Sequence, residues 1–214
     1  MIRTIANYIF EIKRKHWMKK IRARLINSDF TIISNNCCAG IIYSDLGLQF
    51  TSPTINLYFL PEEYLFFVKN LKAYADGVMT DVSDPTIASF PVGSLKANDC
   101  SLPAIRIYFM HYNNYKEAHD SWYRRCARIH YDNIFYLWEV NEANTDFSLI
   151  KEFDNLPLRK MIFSYKNLPG ISNYYKFHFT NVFSPGLILR ILSTGKRNID
   201  EFDYVSFLND KYKQ

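Results

Sequence analysis

Ser34-Asn35-Asn36-Cys37 and His111 are the residues whose types and spacing best suit chemistry. The first run follows Phe30-Thr31-Ile32-Ile33, a β-branched and aromatic stretch with the pattern of a buried strand. A thiol just past a strand's carboxyl end, with a helix starting behind it, stands where α/β enzymes place reactive groups. Helix N-terminal N–H groups there favour a thiolate over a thiol. His111 directly follows a second strand pattern, Ile105–Met110, and opens His111-Tyr112-Asn113-Asn114. An imidazole within hydrogen-bond reach makes a thiol a useful nucleophile, so Cys37 and His111 form a candidate nucleophile and base. Asn35, Asn36 and backbone N–H groups around Cys38 are then candidate oxyanion donors. A buried structural Cys37 and a helix-capping His111 explain the same residues without chemistry, because free cysteine is among the most buried residue types.

The elements that must position these groups are legible as alternating patterns. Strand patterns occupy Phe30–Ile33, Ile55–Leu60, Ile105–Met110, Ile134–Trp138, Met161–Tyr165 and Lys176–Phe179. Pro61-Glu62-Glu63 opens a helix with proline in its first turn and acids against the dipole. Asn114 with Glu117 three residues on predicts a capped helix whose apolar face is Ala118, Trp122, Cys126 and Ile129. Further helices are expected over Thr145–Asn155 and Gly186–Leu192, and the Asp, Ser, Pro and Gly-rich stretch 76–104 reads as an excursion containing a hairpin. Strands alternating with helices predict an α/β fold, a mostly parallel sheet flanked by helices. In such a sheet Ser34–Cys37 and His111 share the carboxyl edge. Tyr131-Asp132-Asn133 precedes its strand and falls at the opposite edge.

Composition narrows the class. Of 214 residues, 48% are hydrophobic and 17% aromatic, ample for a packed core and against disorder. Four cysteines with no C-x-x-C spacing argue against a disulfide framework or a zinc ribbon and point to a reducing cytoplasm. Residues 1–28 hold eight basic side chains against Glu11 alone, while the remainder holds 18 basic and 20 acidic residues. That segment, with Ile5, Ile9, Ile12, Trp17, Ile21 and Leu25 at helical spacing, reads as a basic amphipathic helix ahead of a single α/β domain over 29–214. Such a helix either lies on an anionic membrane or packs its stripe on the domain. His111, His119 and His130 lack helical zinc-ligand spacing, and no G-x-G-x-x-G or G-x-x-x-x-G-K-[ST] loop occurs. The net negative globular part argues against nucleic acid as a partner.

The run FTIISNNCCAGIIYSDLGLQFTSPT, followed by HYNNYKEAHDSWYRRCARIHYDNIF, resembles a bacterial family labelled exopolysaccharide biosynthesis protein, formally a domain of unknown function. The resemblance covers about residues 20–195 and is carried by Ser34, Asn35, Asn36, Cys37, Gly40, Leu46-Gly47-Leu48, Ser52-Pro53-Thr54, His111-Tyr112, Trp122, Arg124-Arg125 and Tyr131-Asp132-Asn133. Cys38 departs from an expected aromatic and Ala39 from an expected glycine. The resemblance implies surface-polysaccharide assembly on the cytoplasmic side, with a saccharide or lipid-linked saccharide precursor as partner. A looser similarity, to a capsule-biosynthesis group with an esterase-like fold, implies an acyl donor such as a coenzyme A thioester near the cysteine.

Together these readings predict an acyltransferase with Cys37 as nucleophile and His111 as base. Ser34, Asn35, Asn36 and Gly40 would border the oxyanion, while Ser52, Thr54, Tyr112, Arg124 and Asp132 would meet substrate. No metal is expected. A metal-independent glycosyltransferase using Asp132 or Glu62 as base, and a non-catalytic scaffold of the assembly machinery, are the competing expectations.

Overall fold

Alternation along the strands decides the architecture, because successive side chains leave a strand on opposite faces. The computed structural model describes residues 2–140, 145–178, 187, 190–191 and 193–210, with side chains from Ala6 onward. In chain order the elements are α1 (Ile2–Arg24), β1 (Thr31–Ser34), α2 (Cys38–Leu46), α3 (Pro61–Lys69), α4 (Leu71–Ala75), β2 (Val78–Asp81), β3 (Val92–Lys96) and β4 (Ile105–Tyr108). There follow α5 (Tyr115–Cys126), β5 (Ile134–Glu139), α6 (Phe147–Asn155), β6 (Lys160–Ser164), β7 (Tyr174–Lys176), β8 (Arg190–Ile191), β9 (Lys196–Arg197), a 3₁₀ turn over Asn198–Glu201 and α7 (Tyr204–Leu208).

The main sheet has the order β1-β5-β6-β7, and among the described residues its strand pairings are all parallel. Ile33, Tyr136, Trp138 and Ile162 face one core with side chains of α3, α4, α5 and α6. Ile32, Phe135, Leu137, Met161 and Phe163 face a second core against α2, Ile21 of α1 and the Phe202–Leu208 segment. The fold is α/β, with a mostly parallel sheet flanked by helices. Pro61 starts α3 as expected, and the Asn114 side chain accepts the Glu117 N–H at the start of α5 (2.9 Å).

Three strand expectations are corrected. Ile105–Tyr108 does not join the main sheet: β4 pairs antiparallel with β3, which pairs antiparallel with β2, making a separate three-stranded sheet. The hairpin expected within 76–104 therefore claims β4 as its third strand. Residues 55–60 form no regular strand. Their backbone joins a single bridge, Tyr58 to Tyr108, and Phe59 N–H donates to the Asn35 carbonyl (2.9 Å). This segment is tied to both sheets and belongs to neither. The strand expected over 176–179 lies earlier, as β7, and Phe179 falls outside the described residues. Of the helix expected over 186–192, Arg190–Ile191 is strand β8, and 186, 188, 189 and 192 fall outside the described residues.

The apolar stripe expected on α1 is split. Phe10 and Ile21 are buried, and Trp17 and Leu25 pack partly on the second core, whereas Ile9 and Ile12 point outward. Arg14 lies in the docked face beneath solvent and pairs with both Asp45 of α2 and Asp200 of the 3₁₀ turn. Trp17 Nε1 also donates to Asp200 (3.0 Å), and Arg197 stands 3.5 Å from Asp45. The contact is tight enough that Gly195, at φ +74°, has its Cβ position 2.5 Å from Lys13 Cβ. No helix among the described residues is long and apolar enough to cross a membrane.

Candidate active site

Because the paired strands run parallel, Ser34, Glu139, Ser164 and Lys176 finish at one edge of the sheet. At this edge the chain leaves β1 through Asn35 and Asn36. The Asn35 carboxamide acts as a substitute peptide group: its Nδ2 donates to the Glu139 carbonyl (3.0 Å) and its Oδ1 accepts the Glu139 N–H (2.9 Å). It extends the β1–β5 ladder by one rung beyond Ser34–Leu137. Asn36 serves two masters. Its Oδ1 accepts the Cys38 N–H (3.0 Å) and its Nδ2 donates to the Glu139 carboxylate. Ser34 Oγ accepts the Ala39 N–H (3.1 Å), so two first-turn donors of α2 are capped from within the chain. Asn35, Asn36 and the Cys38 amide are thus committed to structure, and none is disposed as an oxyanion donor here.

Glu139 is the residue that sequence reasoning missed. Its carboxylate receives the Tyr165 hydroxyl (2.7 Å) and Asn36 Nδ2, and no cation pairs with it among the described residues. Burial pushes its pKa up, against both hydrogen bonds, which favour the charged form. A carboxylate desolvated without a counter-cation, at the ligand-binding edge of a parallel sheet, is the pattern of a poised acid or base. A signal was present in the sequence: Glu139 stands between Trp138 and Val140, a lone charge at the end of an apolar strand pattern.

Cys37 is the N-cap of α2, and its Sγ donates to the Leu57 carbonyl at 3.9 Å. Burial pushes the thiol pKa up, and the Glu139 charge pushes it further. Cys38, fully buried, is raised more strongly for the same first reason. Neither is a standing thiolate, so burial and Glu139 overrule the helix dipole. His111 is exposed, and because β4 lies in the antiparallel sheet it does not end on the main sheet's edge. Its backbone N–H reaches the Asn56 carbonyl (3.4 Å), one residue from the carbonyl that holds Cys37. No hydrogen bond joins the imidazole to the thiol among the described residues.

The remaining expected residues scatter. Ser52 and Thr54 are buried and bond one another (2.9 Å), and Thr54 Oγ1 accepts the Ser34 N–H (3.0 Å), fastening residues 52–54 to β1. Gly40 has space for a methyl group, since its Cβ position lies 3.4 Å from Ile55 Cγ2. Tyr112 is buried and takes a hydrogen bond from Arg125, whereas Arg124 is exposed and bonds Ser121 Oγ (3.0 Å). Asp132 is exposed at the amino end of β5, the edge opposite Glu139, as its place before the strand implied. A cavity of about 240 Å³ opens near that opposite end, lined by Arg159, Lys160, Asn173 and Phe207 among others, and touches none of the expected site residues.

Fold and site define an α/β protein whose parallel sheet carries a polar carboxyl edge around a partly buried glutamate. The chain belongs to the family described as Domain of unknown function (DUF1919), whose model matches residues 8–209. It is 34% identical over 194 residues to an uncharacterized protein of Haemophilus influenzae, an alignment covering 89% of each chain.

Proposed function

We propose that the protein is a transferase of bacterial surface-polysaccharide assembly, with its active site at the carboxyl edge of the main sheet. The resemblance noted in the sequence supplies the setting, a saccharide or lipid-linked saccharide acceptor and an acyl donor such as a coenzyme A thioester. The observation that carries the chemistry is Glu139, an uncompensated carboxylate held in position by Asn36 and Tyr165. A raised pKa makes a carboxylate a better base. In the proposed step the acceptor hydroxyl oxygen attacks the thioester carbonyl and its proton passes to Glu139. The carbon–sulfur bond then breaks, the thiolate leaves with the electron pair, and the proton returns from Glu139 to it. Cys37, held protonated, forms part of the wall. Purified protein would be incubated with acyl thioesters, or with sugar nucleotides, and saccharide acceptors, and products read by mass spectrometry. Transfer abolished by Glu139→Gln and retained by Cys37→Ser is the expected result. Full turnover by Glu139→Gln would sink the mechanism, and transfer from sugar nucleotides alone would move the same base to the glycosyltransferase reading.

One observation favours a second reading, in which Cys37 carries the acyl group and His111 is its base. Both residues bond to adjacent carbonyls of one segment, Cys37 Sγ to Leu57 and the His111 backbone N–H to Asn56, which puts them in one neighbourhood of the fold. A protein trapped with an acyl group on Cys37, and loss of transfer in Cys37→Ser, would select this reading.

Placement at the inner face of an anionic membrane completes the proposal. The outward face of α1 carries Tyr8, Ile9 and Ile12 and then Lys15, Lys19 and Lys20, and Glu11 lies off this face near Arg190. Apolar side chains entering the interface beside lysines that meet lipid phosphates suit such a surface. Sedimentation with phosphatidylglycerol vesicles, lost in Ile12→Asp, is expected. Equal sedimentation of both proteins would remove the placement.

A further inference from the structure

Helix α5 carries Arg124 and Arg125, the turn that follows it carries Arg128, and the structure treats the three differently. Arg124 is exposed, Arg128 is partly buried and Arg125 is only 8% exposed. Burying a guanidinium without a counter-charge is costly, and the other buried arginine here, Arg14, has two carboxylates. Arg125 has none among the described residues. Its Nη1 donates to the Tyr112 hydroxyl and to the Ile55 carbonyl (3.5 Å), and the guanidinium sits 5.3 Å from the centre of the Phe50 ring. Its Nε and Nη2 have no hydrogen-bond partner among the described residues and are not sealed from solvent. Arg128, three residues on in the turn after α5, points Nη1 at the Phe50 carbonyl (3.5 Å) and likewise has no carboxylate partner among the described residues.

The Arg128 N–H donates to the Arg125 carbonyl (2.9 Å), so the turn that follows α5 keeps the two residues adjacent, and both side chains meet Phe50. The fixed fork of a guanidinium matches the oxygens of phosphate or carboxylate. Two positive charges without an acid match a doubly charged phosphate better than a single carboxylate. We propose that Arg125 and Arg128, backed by Tyr112 and Phe50, form a binding site for a phosphate-bearing ligand. Tyr112 and Ile55 hold the Arg125 fork in place, and Phe50 orders its plane, so little side-chain freedom is left to lose on binding. The site lies apart from the Glu139 carboxylate but is linked to the same edge. Ile55, whose carbonyl meets Arg125, is two residues from Leu57, whose carbonyl meets Cys37, at most about 7 Å along the chain. The anion site itself does not depend on the reaction proposed there.

The test is calorimetric titration of the full chain with inorganic pyrophosphate and, separately, with adenosine diphosphate, at low and raised salt. Saturable binding that weakens with salt and falls about tenfold or more in Arg128→Gln is expected, since one charge-assisted hydrogen-bond donor is removed. Lys116→Gln, which removes a charge on the opposite face of α5, should bind as the parent does. Arg125→Lys, checked for folding by circular dichroism, keeps the charge but loses the fork and should weaken binding as well. Tighter binding of the nucleotide than of pyrophosphate would mark a nucleotide source, and the reverse a free phosphate. Absence of saturable binding to both, or equal affinity in Arg128→Gln and the parent, would overturn the proposal. Neither readout involves turnover, so failure here is distinct from failure of the transferase reading.

Discussion

Replacing Arg14 by leucine tests whether α1 is an integral wall of the domain. The substitution puts an apolar side chain into a site where Arg14 is 2% exposed, and strands two carboxylates, Asp45 and Asp200, whose side chains are 3% and 0% exposed. Removing one partner of a buried ion pair costs about 3–5 kcal/mol, because the charge left behind is desolvated and unpaired. Arg197 offsets part of the loss at Asp45, and Asp200 keeps Trp17 Nε1 and the Arg197 N–H (2.7 Å). Those contacts hold the estimate within that range for two stranded acids. At roughly 2.1 cal/mol/K per residue the unfolding entropy of this chain is about 0.45 kcal/mol/K, so the melting temperature should fall by roughly 7–11 °C. Thermal unfolding followed by circular dichroism at pH 7 reads the shift. Adding Asp45→Asn and Asp200→Asn should recover most of it, because the stranded charges are then gone. A fall of less than about 2 °C in Arg14→Leu, or no recovery in the triple variant, would refute the argument that these charges fasten α1.

Glu139→Gln should raise the melting temperature at pH 7.5 while abolishing transfer. The folded pKa of Glu139 is raised, so its favourable contribution is complete below the unfolded value of about 4.3 and is lost as pH rises through the folded value. The stabilising effect of glutamine should therefore fade on acidification toward pH 4, and an equal effect at both pH values would contradict the assignment. Asn35→Ala removes both bonds to the Glu139 backbone and should cost about 2–4 kcal/mol in chemical denaturation, with a loss under 1 kcal/mol counting against the ladder extension. Alkylation of Cys37 by iodoacetamide should be slow at pH 7.5 beside the exposed Cys100, since burial and Glu139 keep the thiol protonated. Rapid labelling of Cys37 would restore a thiolate. Gly195→Ala should lower the melting temperature by several degrees, because the new methyl meets the backbone of Lys13 and Arg14 at 2.6–2.7 Å and the residue holds φ +74°.

Some of the protein was settled by local chemistry that neighbouring residues share. The runs before Ser34 and Glu139 and around Ile162 could hardly be other than buried strands, since apolar residues on both faces suit only a sheet covered twice. Pro61 with its acids, and Asn114 with Glu117, mark helix starts because those side chains satisfy N–H groups within a few residues. The polar run Ser34–Asn36 was visible for the same reason. Partner choice is different, because it depends on residues distant in sequence. Ile105–Tyr108 has the composition of a strand of the main sheet yet pairs with the 92–96 hairpin strand, and 55–60 has a strand's pattern yet is divided between Asn35 and Tyr108. Helical spacing put Ile9 and Ile12 with Trp17 and Ile21, but only the docked surface fixes which arc is buried, and Arg14 lies inside it because Asp45 and Asp200 wait there. Asn35 and Asn36 were legible as hydrogen-bonding residues, whereas their commitment to the Glu139 backbone and carboxylate required β5 to lie beside β1. Glu139 and Arg125 follow the same logic. A charge becomes informative when it is buried without an opposite charge, and burial and pairing are properties of the folded chain alone.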